Sequence, residues 1–166
     1  MKKILLIIAF ISVSIFSSCE GPQGPPGPQG ANGSTVEAEV VQISNVDFTA
    51  AGSYGIFVNL AILPSDMVLV YRQSGVDGGN PVWQIIPKTY YPTEGEVDFN
   101  YDFTQNDVNI YLESTYDLAL TPQFTQDQNF RIVIIPGYFS KKALKVENYD
   151  SVIEALNLQH APIREL

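Results

Sequence analysis

Glu96-Val97-Asp98-Phe99-Asn100-Tyr101-Asp102-Phe103 alternates polar and apolar residues without a break. Successive side chains of an extended chain point to opposite faces, so Val97, Phe99, Tyr101 and Phe103 share one side and the four polar residues the other. Such a stretch is a strand with one face on a core and one in water. The same period recurs on either side of it. Val36, Ala38 and Val40 alternate with Glu37 and Glu39; Ile56, Val58 and Leu60 follow an Ala51-Gly52-Ser53 turn; Val108, Ile110 and Leu112 alternate with Asn109, Tyr111 and Glu113. Met67 to Arg72 begins after Pro64-Ser65-Asp66. Val82 to Ile86 is joined to it by Ser74 to Pro81, whose Asp77-Gly78-Gly79-Asn80 marks a hairpin connection.

Two segments depart from the alternation. Phe130 to Ile135 is nearly continuously apolar, which suits a central strand covered on both faces. Tyr149, Val152, Ile153 and Leu156 recur at helical spacing, and Asn148 or Asp150 can cap a short amphipathic helix over 149–158. The pattern predicts an all-β domain over 35–166: an antiparallel β-sandwich of about seven or eight strands, with a C-terminal helix covering part of one sheet. Roughly 130 residues bury enough surface for this domain to be stable without disulfides.

The chain has 166 residues, 9 Lys and Arg against 18 Asp and Glu, a formal net charge of −9, one cysteine and one histidine. The length fits one domain with a tail. Its acidity repels a phosphate backbone, so no nucleic-acid partner is expected. A lone cysteine allows no internal disulfide, CxxC redox pair or Cys-based zinc knot.

Lys2 and Lys3 precede an apolar run from Ile4 to Phe16, shorter than the about 20 residues a spanning helix needs. Residues 1–18 therefore read as a cleavable export signal; a permanent N-terminal anchor is the alternative that the length disfavours. Ser17 and Ser18 lead directly into Cys19, an arrangement that resembles a bacterial lipobox. The resemblance implies cleavage before Cys19, a diacylglycerol on its thiol and an acylated amino terminus. Two or more acyl chains hold a protein stably at a membrane, so Cys19 would carry the membrane partnership; an unmodified exposed thiol is the disfavoured alternative.

After Glu20 comes Gly21-Pro22-Gln23-Gly24-Pro25-Pro26-Gly27-Pro28-Gln29-Gly30-Ala31-Asn32-Gly33, with glycine at every third place. This is the collagen pattern, required where three polyproline II chains share a crowded axis. Four triplets are few for a triple helix, and a monomeric, semi-rigid stalk over 19–34 is the preferred reading over a trimer. At about 3.1 Å per residue it would lift the domain roughly 40 Å from the bilayer.

An export signal ending in Ser-Cys, a GPQGPPGPQGANG tract and a small acidic β-rich domain together resemble the collagen-repeat lipoproteins of Bacteroidota. Ser65 to Arg72, Ser74 to Asn80 and Phe130 to Pro136 are also similar to that family's globular part. The resemblance implies a cell-envelope, outer-membrane lipoprotein, facing periplasm or exterior, and implies no activity.

Chemistry-bearing patterns are sparse. His160, near the C-terminus, reads as solvated surface rather than part of a Ser-His-Asp triad. No Gly-rich loop joins a strand to a helix, and no cofactor is expected. Glu96, Asp98, Asn100 and Asp102 offer oxygen ligands suited to calcium, as do Asp77 and Asn80, but alternate residues of a strand stand about 7 Å apart, so no metal site is expected and a solvated acidic face is preferred. Aromatic rings on a sandwich surface can stack sugars or grip peptides, although packing against the core is the commoner use. Trp83, Tyr90 and Tyr91, with the nearby Asp77 and Asn80, are the candidate ligand surface. The expectation is a non-catalytic binding, adhesion or structural module for a glycan or protein ligand; the alternative is an envelope hydrolase using carboxylates such as Asp98 and Asp102, which requires a separation of about 5 to 9.5 Å.

Overall fold

Nine strands build two sheets in the computed structural model of this chain, which describes residues 37–141 and 144–166. The expected export signal, Cys19 and the Gly-x-y tract lie outside the described residues. The strands are β1 (Glu39–Val46), β2 (Gly55–Asn59), β3 (Met67–Asp77), β4 (Asn80–Ile85), β5 (Lys88–Tyr90), β6 (Val97–Phe103), β7 (Asp107–Ser114), β8 (Gln128–Ile135) and β9 (Ile163–Glu165). Two helices accompany them, α1 (Pro122–Thr125) and α2 (Tyr149–Ala155). One sheet runs β4-β3-β8-β1-β9 and the other β2-β7-β6-β5.

Alternation decides which side chains fill the space between the sheets. Val97 and Phe99 of β6 and Val108, Ile110 and Leu112 of β7 meet Val41, Val70, Phe130, Ile132 and Ile134 from the five-stranded sheet. A second apolar layer lies on that sheet's other face, where Val40, Leu69, Tyr71, Val133 and Ile135 pack against Tyr149, Val152, Leu156 and Leu158. β8 is thus the middle of a three-layer stack. Its odd and even residues both face apolar neighbours, which explains the nearly continuous apolar run from Phe130 to Ile135, interrupted only by Arg131.

Besides the three-residue strand β5, which no alternation marks, four details differ from the sequence expectation. β9 pairs in parallel with β1 through Val40↔Ile163 to Gln42↔Glu165, adding a three-residue edge strand. Two of its residues are charged and all three are exposed, so it carries no alternation to read. The β3–β4 connection is tighter than Ser74 to Pro81: β3 continues to Asp77, and Gly78 and Gly79 alone reverse the chain with φ of 55° and 86°. Positive φ at both central residues matches the twist of a hairpin and is what glycine allows. Phe103 is 44% exposed, because it ends β6 beside the turn that brings Thr104 back to Asp107.

Finally, α2 stops at Ala155 rather than 158. Asn157 adopts a left-handed φ of 57°, its N–H bonds to Glu154 O, and Leu158 N–H reaches back to Ile153 O. That is a Schellman closure, which satisfies the last carbonyls and turns Leu158 into the apolar layer. At the other end Asn148 is the N-cap, accepting the Ser151 N–H at 2.9 Å.

Candidate functional site

The β3–β4 hairpin and the entrance to α2 face each other across a groove of about 370 Å³, lined by Asp77, Asn80, Pro81, Val82 and Trp83 on one side and 147–150 on the other. The glycine turn places Asp77 and Asn80 at the hairpin tip, and they pair directly. Pro81 is tolerated because β4 is an edge strand whose outer side needs no backbone donor.

Trp83 forms the wall between these halves and is held from two directions. Its ring centroid lies 6.0 Å from that of the buried Tyr149, and the Arg131 guanidinium stands 4.3 Å from the Trp83 ring centre. Arg131 is itself fixed: Nε donates to Gln42 Oε1 at 2.8 Å and Nη1 to the Tyr149 hydroxyl at 2.9 Å. Burial pushes the Tyr149 phenol up from its ordinary value, more than Arg131 pulls it down. It remains a neutral phenol near pH 7, and its oxygen accepts the hydrogen bond that Arg131 Nη1 donates.

Asp77, Glu147 and Asp150 bring three carboxyls to the groove, Asn80 and Asn148 bring amides, and no lining residue is basic. Nor does the lining include a serine, cysteine or histidine. What the arrangement can do is accept hydrogen bonds, attract positive charge and cover an apolar stem.

The structure divides the candidate surface. Asp77, Asn80 and Trp83 come together in the groove, but Tyr90 and Tyr91 do not join them. Although β4 and β5 are consecutive, they belong to different sheets. Trp83 packs in the α2-side layer, whereas Tyr90 packs between the sheets, 5.8 Å from Phe99 and 5.5 Å from Phe124. The Tyr90 hydroxyl donates to Gln84 Oε1 at 3.0 Å, one residue and one strand face away from Trp83. Tyr91 is 75% exposed and stands apart from the groove lining. The residues missed from sequence are Glu147, Asn148, Tyr149 and Asp150, whose polar-aromatic composition matches the hairpin's but which only tertiary packing brings beside it.

The strand-face carboxylates serve their neighbours. Asp98 accepts from the Thr89 hydroxyl, Asn100 Nδ2 donates to Glu113 Oε2 at 2.8 Å, and Asn109 Nδ2 donates to Asp102 Oδ2 at 3.4 Å. Among the described residues no group of three or more His, Cys, Asp or Glu is gathered as a metal would require. Asp98 and Asp102 are four residues apart on one strand, which separates them by roughly 13 Å, beyond the span of a glycosidase pair. His160 is exposed, ahead of β9. Among the described residues no helix is long and apolar enough to cross a membrane.

Compared with protein-family models, curated proteins and solved structures, the chain matches none.

Proposed function

We propose that this chain is a non-catalytic binding or adhesion module of the cell envelope, anchored by lipid at Cys19 and raised on its Gly-x-y stalk, with its ligand site in the Trp83 groove. The observation that carries the reading is the fixed placement of Trp83 against Arg131 and Tyr149, beside carboxyls and amides from two distant segments. A half-buried aromatic wall with a few convergent polar groups is the usual composition of a ligand site. The export signal, the Ser-Ser-Cys junction and the collagen-like tract support the anchoring half of the proposal.

Trp83 is the chain's single tryptophan, so its emission reports on the groove directly. The full chain in detergent micelles is screened against arrays of envelope glycans and peptides. At least one ligand should shift Trp83 emission and bind at least tenfold more weakly to Trp83→Ala. Ligands that bind both proteins equally, or none that binds at all, would count against the groove. For the anchor, labelled palmitate should enter the native protein and be absent from Cys19→Ser.

A further inference from the structure

Resting on that reading of the groove, we propose that its ligand is the protonated side chain of a lysine in a basic peptide segment. The charge balance is the first reason. Asp77 arrives on the β3–β4 hairpin, and Glu147 and Asp150 arrive at the entrance to α2. The one ion pair among the described residues joins Arg164 to Glu39, away from the groove, so none of the three carboxylates has a cation partner there. Three carboxylates line the groove with no basic residue among its lining, and Arg131, the cation at the wall, is engaged with Trp83, Gln42 and the Tyr149 hydroxyl, so the rim favours a cation over an anion.

The shape of the wall narrows the class. Arg131 covers part of the Trp83 ring and Tyr149 leans against it at an interplanar angle of 44°. The accessible remainder of Trp83, with Val82 and Pro81, suits a methylene stem better than a stacked plane. A lysine side chain presents such a stem, which lies along apolar surface while its ammonium reaches polar groups. Its three N–H donors match an acceptor-rich rim, whereas an anion would meet three negative charges. A volume of about 370 Å³ is at the lower end for ligand sites, room for one or two side chains.

The test titrates the full chain in neutral detergent micelles with tri-lysine blocked at both ends, and with the same peptide acetylated on its side chains, followed by calorimetry and Trp83 emission. Tri-lysine should bind and perturb Trp83; acetylation should weaken binding at least tenfold, and raising NaCl should weaken it further. Asp77→Asn and Asp150→Asn should each lower affinity several-fold with unchanged melting temperature, and Asp150→Lys should abolish binding. Equal binding of the acetylated peptide would overturn the proposal, as would binding indifferent to the Asp77 and Asp150 substitutions, which indicates diffuse attraction to an acidic protein. If a neutral oligosaccharide binds in a Trp83-dependent way and tri-lysine does not, the lysine assignment fails while the groove stands.

Discussion

The Arg72 guanidinium lies 4.4 Å from the centre of the Phe99 ring, inside the sandwich, with Tyr90 at 5.2 Å and Phe124 at 5.8 Å. Arg72 is 7% exposed, and its Nε donates to Gln128 Oε1 at 2.7 Å. A buried cation is thus held by ring quadrupoles and one neutral amide. Gln128 is held in turn, donating through Nε2 to the carbonyls of Gln123 and Gln126.

Removing the amide should therefore do more harm than removing the charge. Gln128→Ala strands a desolvated guanidinium and is expected to destabilise the domain by about 3 kcal/mol. Arg72→Met keeps the volume and eliminates the buried charge but leaves the Gln128 Oε1 acceptor unpaired, and should cost about 1 to 2 kcal/mol, less than Gln128→Ala. Urea unfolding of both variants checks the order; a larger loss in Arg72→Met contradicts it.

Phe99 is fully buried and touches Phe48, Phe130, Tyr90 and Phe124 with centroid separations of 5.8 to 6.3 Å. Phe99→Ala empties the centre of this cluster and should cost about 3 to 5 kcal/mol in the same unfolding measurement. Phe103→Ala, four residues along the same strand face but half-exposed, should cost less than about 1.5 kcal/mol.

High pH should weaken the fold through Tyr71. Its ring is fully buried, its hydroxyl donates to Val146 O at 2.8 Å, and burial first, then the neighbouring Tyr149, Tyr101 and Glu147, push its pKa well above the ordinary 10.0. Tyr101 is raised by burial in the same direction, with its hydroxyl donating to Val68 O at 2.9 Å. As pH rises past 10 the unfolded chain releases phenolic protons that the folded chain keeps, so stability falls in that window and is unaffected below it. Each such phenol contributes a slope of about 1.4 kcal/mol per pH unit. Stability measured from pH 8 to 11.5 should fall less steeply in Tyr71→Phe than in the parent.

The contrast between Phe99 and Trp83 shows what was legible in the sequence. Period-two alternation is a local consequence of strand geometry, so Val97 and Phe99, Val108 to Leu112, and the doubly covered run of β8 could be assigned from neighbours alone. Tyr101 follows the rule with a polar addition, its ring inward and its hydroxyl reaching the facing sheet. The candidate surface was legible only within one hairpin. Asp77, Asn80 and Trp83 share the β3–β4 unit, where local pairing decides position. Tyr90, a few residues further on, was lost because the chain changes sheets between β4 and β5; Pro87 marks a break in the strand there, but nothing in the local pattern says which sheet the chain joins next. The far wall at 147–150 depends on where α2 docks, which long-range packing decides.

The end of α2 supplies a test of that docking. Asn157 holds φ at 57°, a conformation that costs most residues roughly 1 kcal/mol and glycine almost nothing. Asn157→Gly should leave thermal stability unchanged or slightly improved, since Gly is the preferred residue at this position of a Schellman closure. Asn157→Val places a β-branched residue there and should destabilise by about 1 to 2 kcal/mol, because the left-handed backbone is then strained. If the strain is relieved by unwinding the turn, Leu156 and Leu158 leave the layer that also holds Tyr149 and Trp83. The emission of Trp83 should then move to longer wavelength before the sandwich unfolds. Coincident transitions by Trp83 emission and far-ultraviolet circular dichroism in Asn157→Val would show instead that α2 and the sheets unfold as one unit.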